Sequence, residues 1–371
     1  MSPRWFLVVV LALMTVPVSA QRVFSTIDPT EVDDTLKFDV NLIPAWPANV
    51  ETPRAYKTSI QSTTDLNFCP NVVFSPDSTK GFVSYPGSDK VMAFNPKTGE
   101  ITALLEVGLN PGQLSISPDG RTVVGLSLFL ARNTPKGQDF SAEEVATLFA
   151  IDVDTLEVRT LDLTQVWFSF FNNLVFSADG QKVFVASMKT DEILRIDVAT
   201  LTEVSPRLQF SPGSWPASLT MAPDGSYFMA VLIGSPSLDR IAHPDSIAVI
   251  NPTQFQVTRT LSPPTGAQEQ DQDYRYPQDF TAMNNVALSA DGKYGIIGDE
   301  AYSSVVLTLP ESTRDRVWVF NVETGDFQLY LAYAPVTGVY TLPDGRFFVF
   351  GGLYYTFIDP EAKTSAEVAP L

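Results

Sequence analysis

The 371-residue chain contains one cysteine and one histidine. That shortage excludes thiolate zinc sites, a disulfide framework, multi-histidine copper centres and more than one Ser/His or Cys/His triad. Cys69, without a second cysteine to pair with, reads as a small apolar residue or inert thiol. Positive charge is scarce as well: 24 Lys and Arg face 42 Asp and Glu, for a net charge of −18. With no basic stripe to offset this, nucleic acid and anionic membrane surfaces are not expected partners. What the chain does have is 44% hydrophobic residues, enough to bury the core of one large or two ordinary domains.

The one long apolar run lies at the N-terminus. Arg4 precedes a stretch from Trp5 to Val16, and Val18-Ser19-Ala20 supplies small residues before Gln21. This is the pattern of a secretory signal, shorter than the roughly 20 residues of a spanning helix. Residues 1–20 are therefore expected to be removed, leaving a secreted or periplasmic protein with no membrane span.

A short unit recurs six times: FSPDS (74–78), ISPDG (116–120), FSADG (176–180), MAPDG (221–225), LSADG (288–292) and TLPDG (341–345). It is a tight-turn sequence. Asp supplies a side-chain acceptor for nearby N–H groups, and Gly takes positive φ. Apolar runs follow each turn, as expected of strands covered on both faces. A second unit then closes each repeat, as in VMAFNPKTGEI (91–101) and VWVFNVETGDF (317–327), with Asn95, Asp152, Asp197, Asn251, Asn321 and Asp359 in equivalent places. A further copy without a Pro-Asp-Gly turn, VFSTIDPTEV (23–32), lies near the N-terminus.

Each repeat thus reads as two hairpins, four strands A to D. The turn aspartates recur every roughly 40–70 residues, bracketing the ~40–50 that a four-stranded propeller blade needs. The expected fold is an all-β propeller of antiparallel blades over residues 66–371, with residues 21–65 as an atypical first blade. Seven blades are favoured over six. The pattern resembles the YVTN-type repeat propellers, exported proteins whose unit runs strand, Pro-Asp-Gly turn, strand, hairpin. That resemblance implies architecture and says little about activity.

In such a blade the A–B and C–D turns share one end, and the B–C and D–A connections share the other. The long insertions, near 129–145, 233–245, 263–283 and 299–315, all fall at the second end, which makes it the expected binding face. Its candidate residues are Trp167, Trp215, His243, Tyr274, Arg275 and Tyr276. Ser141 and Glu144, ahead of apolar positions, form a capping-box signature that predicts a short helix in the 129–145 loop.

A second candidate set lies where strand A should open, six residues before each turn aspartate: Asn71, Gln113, Asn173, Ser218 and Asn285, with Gly338 in the sixth repeat. At the mouth of a central tunnel such groups would meet a small polar ligand, water or a hard cation, or simply hydrate the channel. No catalytic residue, metal ligand or cofactor is singled out. His243, in RIAHPDS, lacks a demonstrable carboxylate partner and pocket, and DVDTLEV (152–158) lacks the ligand pattern of a calcium loop. The expectation is a monomeric, non-catalytic protein that binds a protein, glycan or small molecule. The alternative is a hydrolase or lactonase acting at the tunnel mouth.

Overall fold

In the computed structural model the described residues are 72–85, 90–108, 111–127, 145–164, 173–187, 190–232, 246–262, 286–298, 316–331, 338–342, 344–351 and 354–361. They form six antiparallel sheets in chain order. The first joins β1 (Val72–Phe74), β2 (Gly81–Tyr85), β3 (Lys90–Phe94) and β4 (Ile101–Glu106); the second β5 (Pro111–Ile116), β6 (Thr122–Ser127), β7 (Val145–Asp152) and β8 (Val158–Thr164). The third holds β9 (Leu174–Phe176), β10 (Lys182–Ser187), β11 (Glu192–Asp197), β12 (Thr202–Glu203) and β13 (Leu208–Gln209). The fourth joins β14 (Pro216–Met221), β15 (Phe228–Leu232), β16 (Ser246–Asn251) and β17 (Gln256–Leu261). The fifth joins β18 (Val286–Leu288), β19 (Tyr294–Gly298), β20 (Arg316–Asn321) and β21 (Phe327–Leu331), and the sixth β22 (Gly338–Thr341), β23 (Phe347–Gly351) and β24 (Tyr354–Ile358). Apart from β13, which pairs with β11, strands pair only with chain neighbours, so each sheet is a meander. These are the blades of an all-β propeller.

Two local devices recur, each in four of the six sheets. In the A–B turns, the hydroxyls of Ser75, Ser117, Ser177 and Ser289 donate to Asp77, Asp119, Asp179 and Asp291 at 2.6–2.7 Å. The same hydroxyls accept the N–H that opens the return strand, at Lys80, Thr122, Lys182 and Tyr294. In the C–D turns, Oδ1 of Asn95, Asp152, Asn251 and Asn321 accepts the N–H groups two and three residues on. Short polar side chains thereby replace the backbone partners that a two-residue reversal leaves unsatisfied.

Strands B and C are buried on both sides. Strand β15 is buried at all five positions and β16 at its first five, whereas the outer strand β17 is exposed at four of six. At three B–C pairs, strand B carries glycine opposite a phenylalanine: Gly81 with Phe94, Gly125 with Phe149 and Gly295 with Phe320. Each ring fills the space where a Cβ would stand, its nearest atom 2.1–2.5 Å from that point.

The chain forms two compact units, residues 1–166 with 198–202, and residues 167–197 with 203–371. In the first, Phe82, Val91, Leu114, Val123, Phe149 and Ile151 make one core between the two sheets. In the second, Phe184, Phe228 and Phe255 stack between the third and fourth sheets, at centroid distances of 4.4 and 5.6 Å. Met229, Val231, Val286, Ile297, Trp318 and Phe320 join the fourth to the fifth, and Val319, Val339, Phe347 and Val349 join the fifth to the sixth. Fully burying each such side chain is worth about 1.5–3 kcal/mol, so neighbouring blades within each unit hold one another.

Three sequence expectations meet the structure differently. The fourth strand of the third blade is split into β12 and β13, both paired with β11, with Ser205-Pro206 between them; proline cannot donate to the ladder there. The helix expected near Ser141 does not extend over the apolar positions that follow, because Val145–Asp152 is strand β7, paired on both sides. Its VATLF run is β-branched and aromatic, and two partners reward extension. The atypical first blade expected over residues 21–65 lies outside the described residues.

Candidate functional site

Within each unit the two ends of the blades differ in chemistry. At the A–B and C–D end, successive turns touch. The Cβ position of Gly120 lies 2.4 Å from Cδ of Pro76 in the preceding turn, and that of Gly225 lies 2.3 Å from Cβ of Ala178. Tyr227 donates its hydroxyl to the carbonyl of Gly292 at 2.8 Å, and burial pushes its phenol up to about 12. Lys80 reaches the carbonyl of Val153 at 2.5 Å and Asp154 at 3.2 Å. At these places the turns of this end are tied to one another.

The opposite end carries the long connections, residues 128–144, 233–245, 262–285 and 299–315 between consecutive strands. Trp167, His243, Tyr274, Arg275 and Tyr276 belong to connections at this end and lie outside the described residues. Trp215 is described, and its setting is specific.

The connection from the third blade into the fourth is fastened to Asp191, a buried residue in the turn before β11. One carboxylate oxygen accepts the N–H of Gly213 and the other the N–H of Trp215, both at 2.8 Å. The Asp191 carbonyl accepts the N–H of Phe210 at 2.8 Å and Gln209 Nε2 at 3.2 Å. Trp215 itself is half-buried and holds a left-handed backbone, φ 51. For a residue with a bulky side chain this conformation costs about 1–2 kcal/mol. A buried carboxylate satisfied by two backbone donors is a stable anchor for it.

The strand-A positions divide between the units. Gln113 sits on β5 in the first, 9% exposed, within a register irregularity between Pro111 and Leu114. In the second unit, Asn173, 2% exposed, directly precedes β9, and its carbonyl accepts the N–H of Ala186. Ser218 lies on β14 opposite Val231, fully buried, and its hydroxyl has no hydrogen-bond partner among the described residues. Strands β9 and β14 lie side by side, so Asn173 and Ser218 occupy equivalent places on neighbouring inner strands. Gln113 and Ser218 fall inside their strands instead of opening them, because a proline-led bulge extends each strand toward its N-terminus. Gly338 does open β22; Asn71 and Asn285 lie outside the described residues. No group of three or more His, Cys, Asp or Glu is gathered among the described residues.

Sequence reasoning missed Asp191. Its signal was present: Gly108-Leu-Asn-Pro111 and Gly213-Ser-Trp-Pro216 precede strand A in two blades, and Asp89 and Asp191 stand immediately before strand C in the blades ahead of them. A glycine and a turn donating N–H groups call for an acceptor nearby.

No family model and no curated protein matches the chain. Solved structures do. Hydrazine synthase of Kuenenia stuttgartiensis superposes with a TM-score of 0.57 at 15% identity, over 78% of this chain and 76% of that one. A proposed 6-phosphogluconolactonase from Bacteroides uniformis gives 0.50 at 16% identity, over 81% and 82%. A protein of unknown function from Desulfotomaculum acetoxidans gives 0.52 at 11%, over 80% and 84%. At these identities the likeness is one of fold.

Proposed function

We propose that the chain is an exported, non-catalytic β-propeller of the YVTN type that captures a protein, glycan or small ligand through its B–C and D–A end. The observation that carries this reading is the division of labour between the two ends of the blades. Every described A–B and C–D turn is short and internally hydrogen-bonded, while the long connections and the Asp191 latch lie at the other end. Rigid sheets presenting variable loops are the usual arrangement for recognition. The signal-like residues 1–20 support export, and the net charge of −18 supports a partner that is neither nucleic acid nor anionic membrane. The protein acts as a monomer.

Deleting residues 263–283, or 129–145, tests this reading. Each variant keeps the cooperative unfolding of the parent and loses capture of the native partner from the exported fraction. Unchanged capture by both variants contradicts it.

A second reading, a hydrolase or lactonase working where the inner strands open, draws support from the buried polar residues Asn173 and Ser218 on neighbouring inner strands of the second unit. Turnover of a lactone panel that falls on Asn173→Ala, with metal analysis of protein purified without chelator, would favour it over the first.

A further inference from the structure

The first sheet has two apolar faces. Through one of them Val73, Phe82 and Val91 pack on Leu114, Val123 and Phe149 of the second sheet. The other face carries two rows of side chains in register across the four strands. Val72, Val83, Met92 and Leu104 form one row, and Phe74, Gly81, Phe94 and Ile101 form the next, the Phe94 ring standing over Gly81. Val83 and Met92 are 0% exposed and Phe94 1%, so this second face is as dry as the first.

Every side chain of this second cluster belongs to the first sheet. The clusters between the later sheets each draw on two: third with fourth, fourth with fifth, and fifth with sixth. Strands lying side by side do not exclude water from their own face. That takes a second layer about 10 Å above it.

The segment just upstream has the length and the pattern to supply the layer. Residues 21–65 belong to the same compact unit as the first sheet and match the ~40–50 residues of one blade. Val23–Ile27 ahead of Asp28-Pro29 repeats the strand-C pattern of Val91–Phe94 ahead of Asn95-Pro96. Further on, Leu36, Phe38, Val40 and Leu42 alternate with Lys37, Asp39 and Asn41. This is the period of a strand with one apolar face, and such a face needs another apolar surface to bury it.

We infer that residues 21–65 form a further blade that docks on the second face of the first sheet, with Phe38 against Met92. The segment is then part of the framework and not a recognition loop. The inference stands independently of which end of the blades binds a partner.

The test uses the full chain as exported, with photo-reactive benzoylphenylalanine in place of Phe38. Benzophenone inserts into C–H bonds beside its carbonyl, those of methionine foremost. Irradiation joins position 38 to residues 72–74, 81–85, 90–94 or 101–106 of the same chain, with Met92 the leading site, read by peptide mass spectrometry. The same probe in place of Asp39, on the polar side of the alternation, gives no product with this face. A mutant cycle reads the contact without a probe. Phe38→Ala and Met92→Ala each lower the urea midpoint, and the unfolding constant of the double variant departs by more than ~2-fold from the product of the single effects, as for residues that share a packed layer.

Cross-links from position 38 to any other segment, a cross-linked pair of chains, or no cross-link in a chain that unfolds cooperatively overturns the inference. So do equal yields on this face from positions 38 and 39, and so does strict additivity of Phe38→Ala with Met92→Ala. None of these results bears on capture by the loop-bearing end, which the 263–283 and 129–145 deletions test separately.

Discussion

Gly120 sits directly over Pro76. The point where its Cβ would stand is 2.4 Å from the proline Cδ, and its φ of +73 is one that L side chains rarely adopt. The turn of the second blade therefore closes onto the turn of the first through a residue with no side chain. Gly225 and Ala178 repeat the relationship in the second unit, whereas Gly345, at φ +88, has nothing within 4 Å of its Cβ position.

This contrast separates two costs. Gly345→Ala carries only the left-handed penalty of about 1–2 kcal/mol. Gly120→Ala and Gly225→Ala add overpacking, for a total of about 2–4 kcal/mol. Urea unfolding of the three variants should rank them in that order.

The turn aspartates predict an acid transition. Asp119, Asp179 and Asp291 are held below the ordinary aspartate value of 3.8, chiefly because the hydroxyls of Ser117, Ser177 and Ser289 donate to them. The folded chain then holds fewer protons than the unfolded one in the acid range, so this stabilisation is complete above the ordinary value and is lost as pH falls through the folded values. Ser177→Ala should bring the titration of Asp179 back toward 3.8, followed by carboxyl NMR shifts, and should reduce the acid sensitivity that Asp179 contributes.

Much of the fold was legible because the turn chemistry is written in side chains. The Ser-x-Asp and Asn/Asp turns are local devices, and a reader needs only the residues that make them. The split strand of the third blade was less visible, since Pro206 interrupts pairing that is long-range. The short helix expected near Ser141 falls in a loop outside the described residues; what the structure shows is that it does not run on into Val145–Asp152, which is decided by strand partners on both sides. At the candidate site, strand-A polar positions such as Asn173 and Ser218 could be read from spacing. The Asp191 latch could not, because it joins a carboxylate before strand C to N–H groups more than twenty residues later.

Arg207 clamps that split strand. Its guanidinium bonds Glu203 on β12 at 2.7 Å and Glu192 on β11 at 3.0 Å, and those two carboxylates raise its pKa. Arg207→Ala leaves the two glutamates facing each other, at a cost of about 1–2 kcal/mol, between the exposed and buried limits for ion pairs. Glu203→Gln in the Arg207→Ala background should recover part of that loss, measured by a double-mutant cycle in urea.

Hydrogen–deuterium exchange on the complex with the native partner, isolated from the exported fraction, tests the central proposal most directly. Protection gained in residues 128–144, 233–245, 263–285 and 299–315 and around Asp191 and Trp215, with the Asp-containing A–B turns unchanged, is the predicted footprint. Protection confined to the A–B and C–D turns would contradict it.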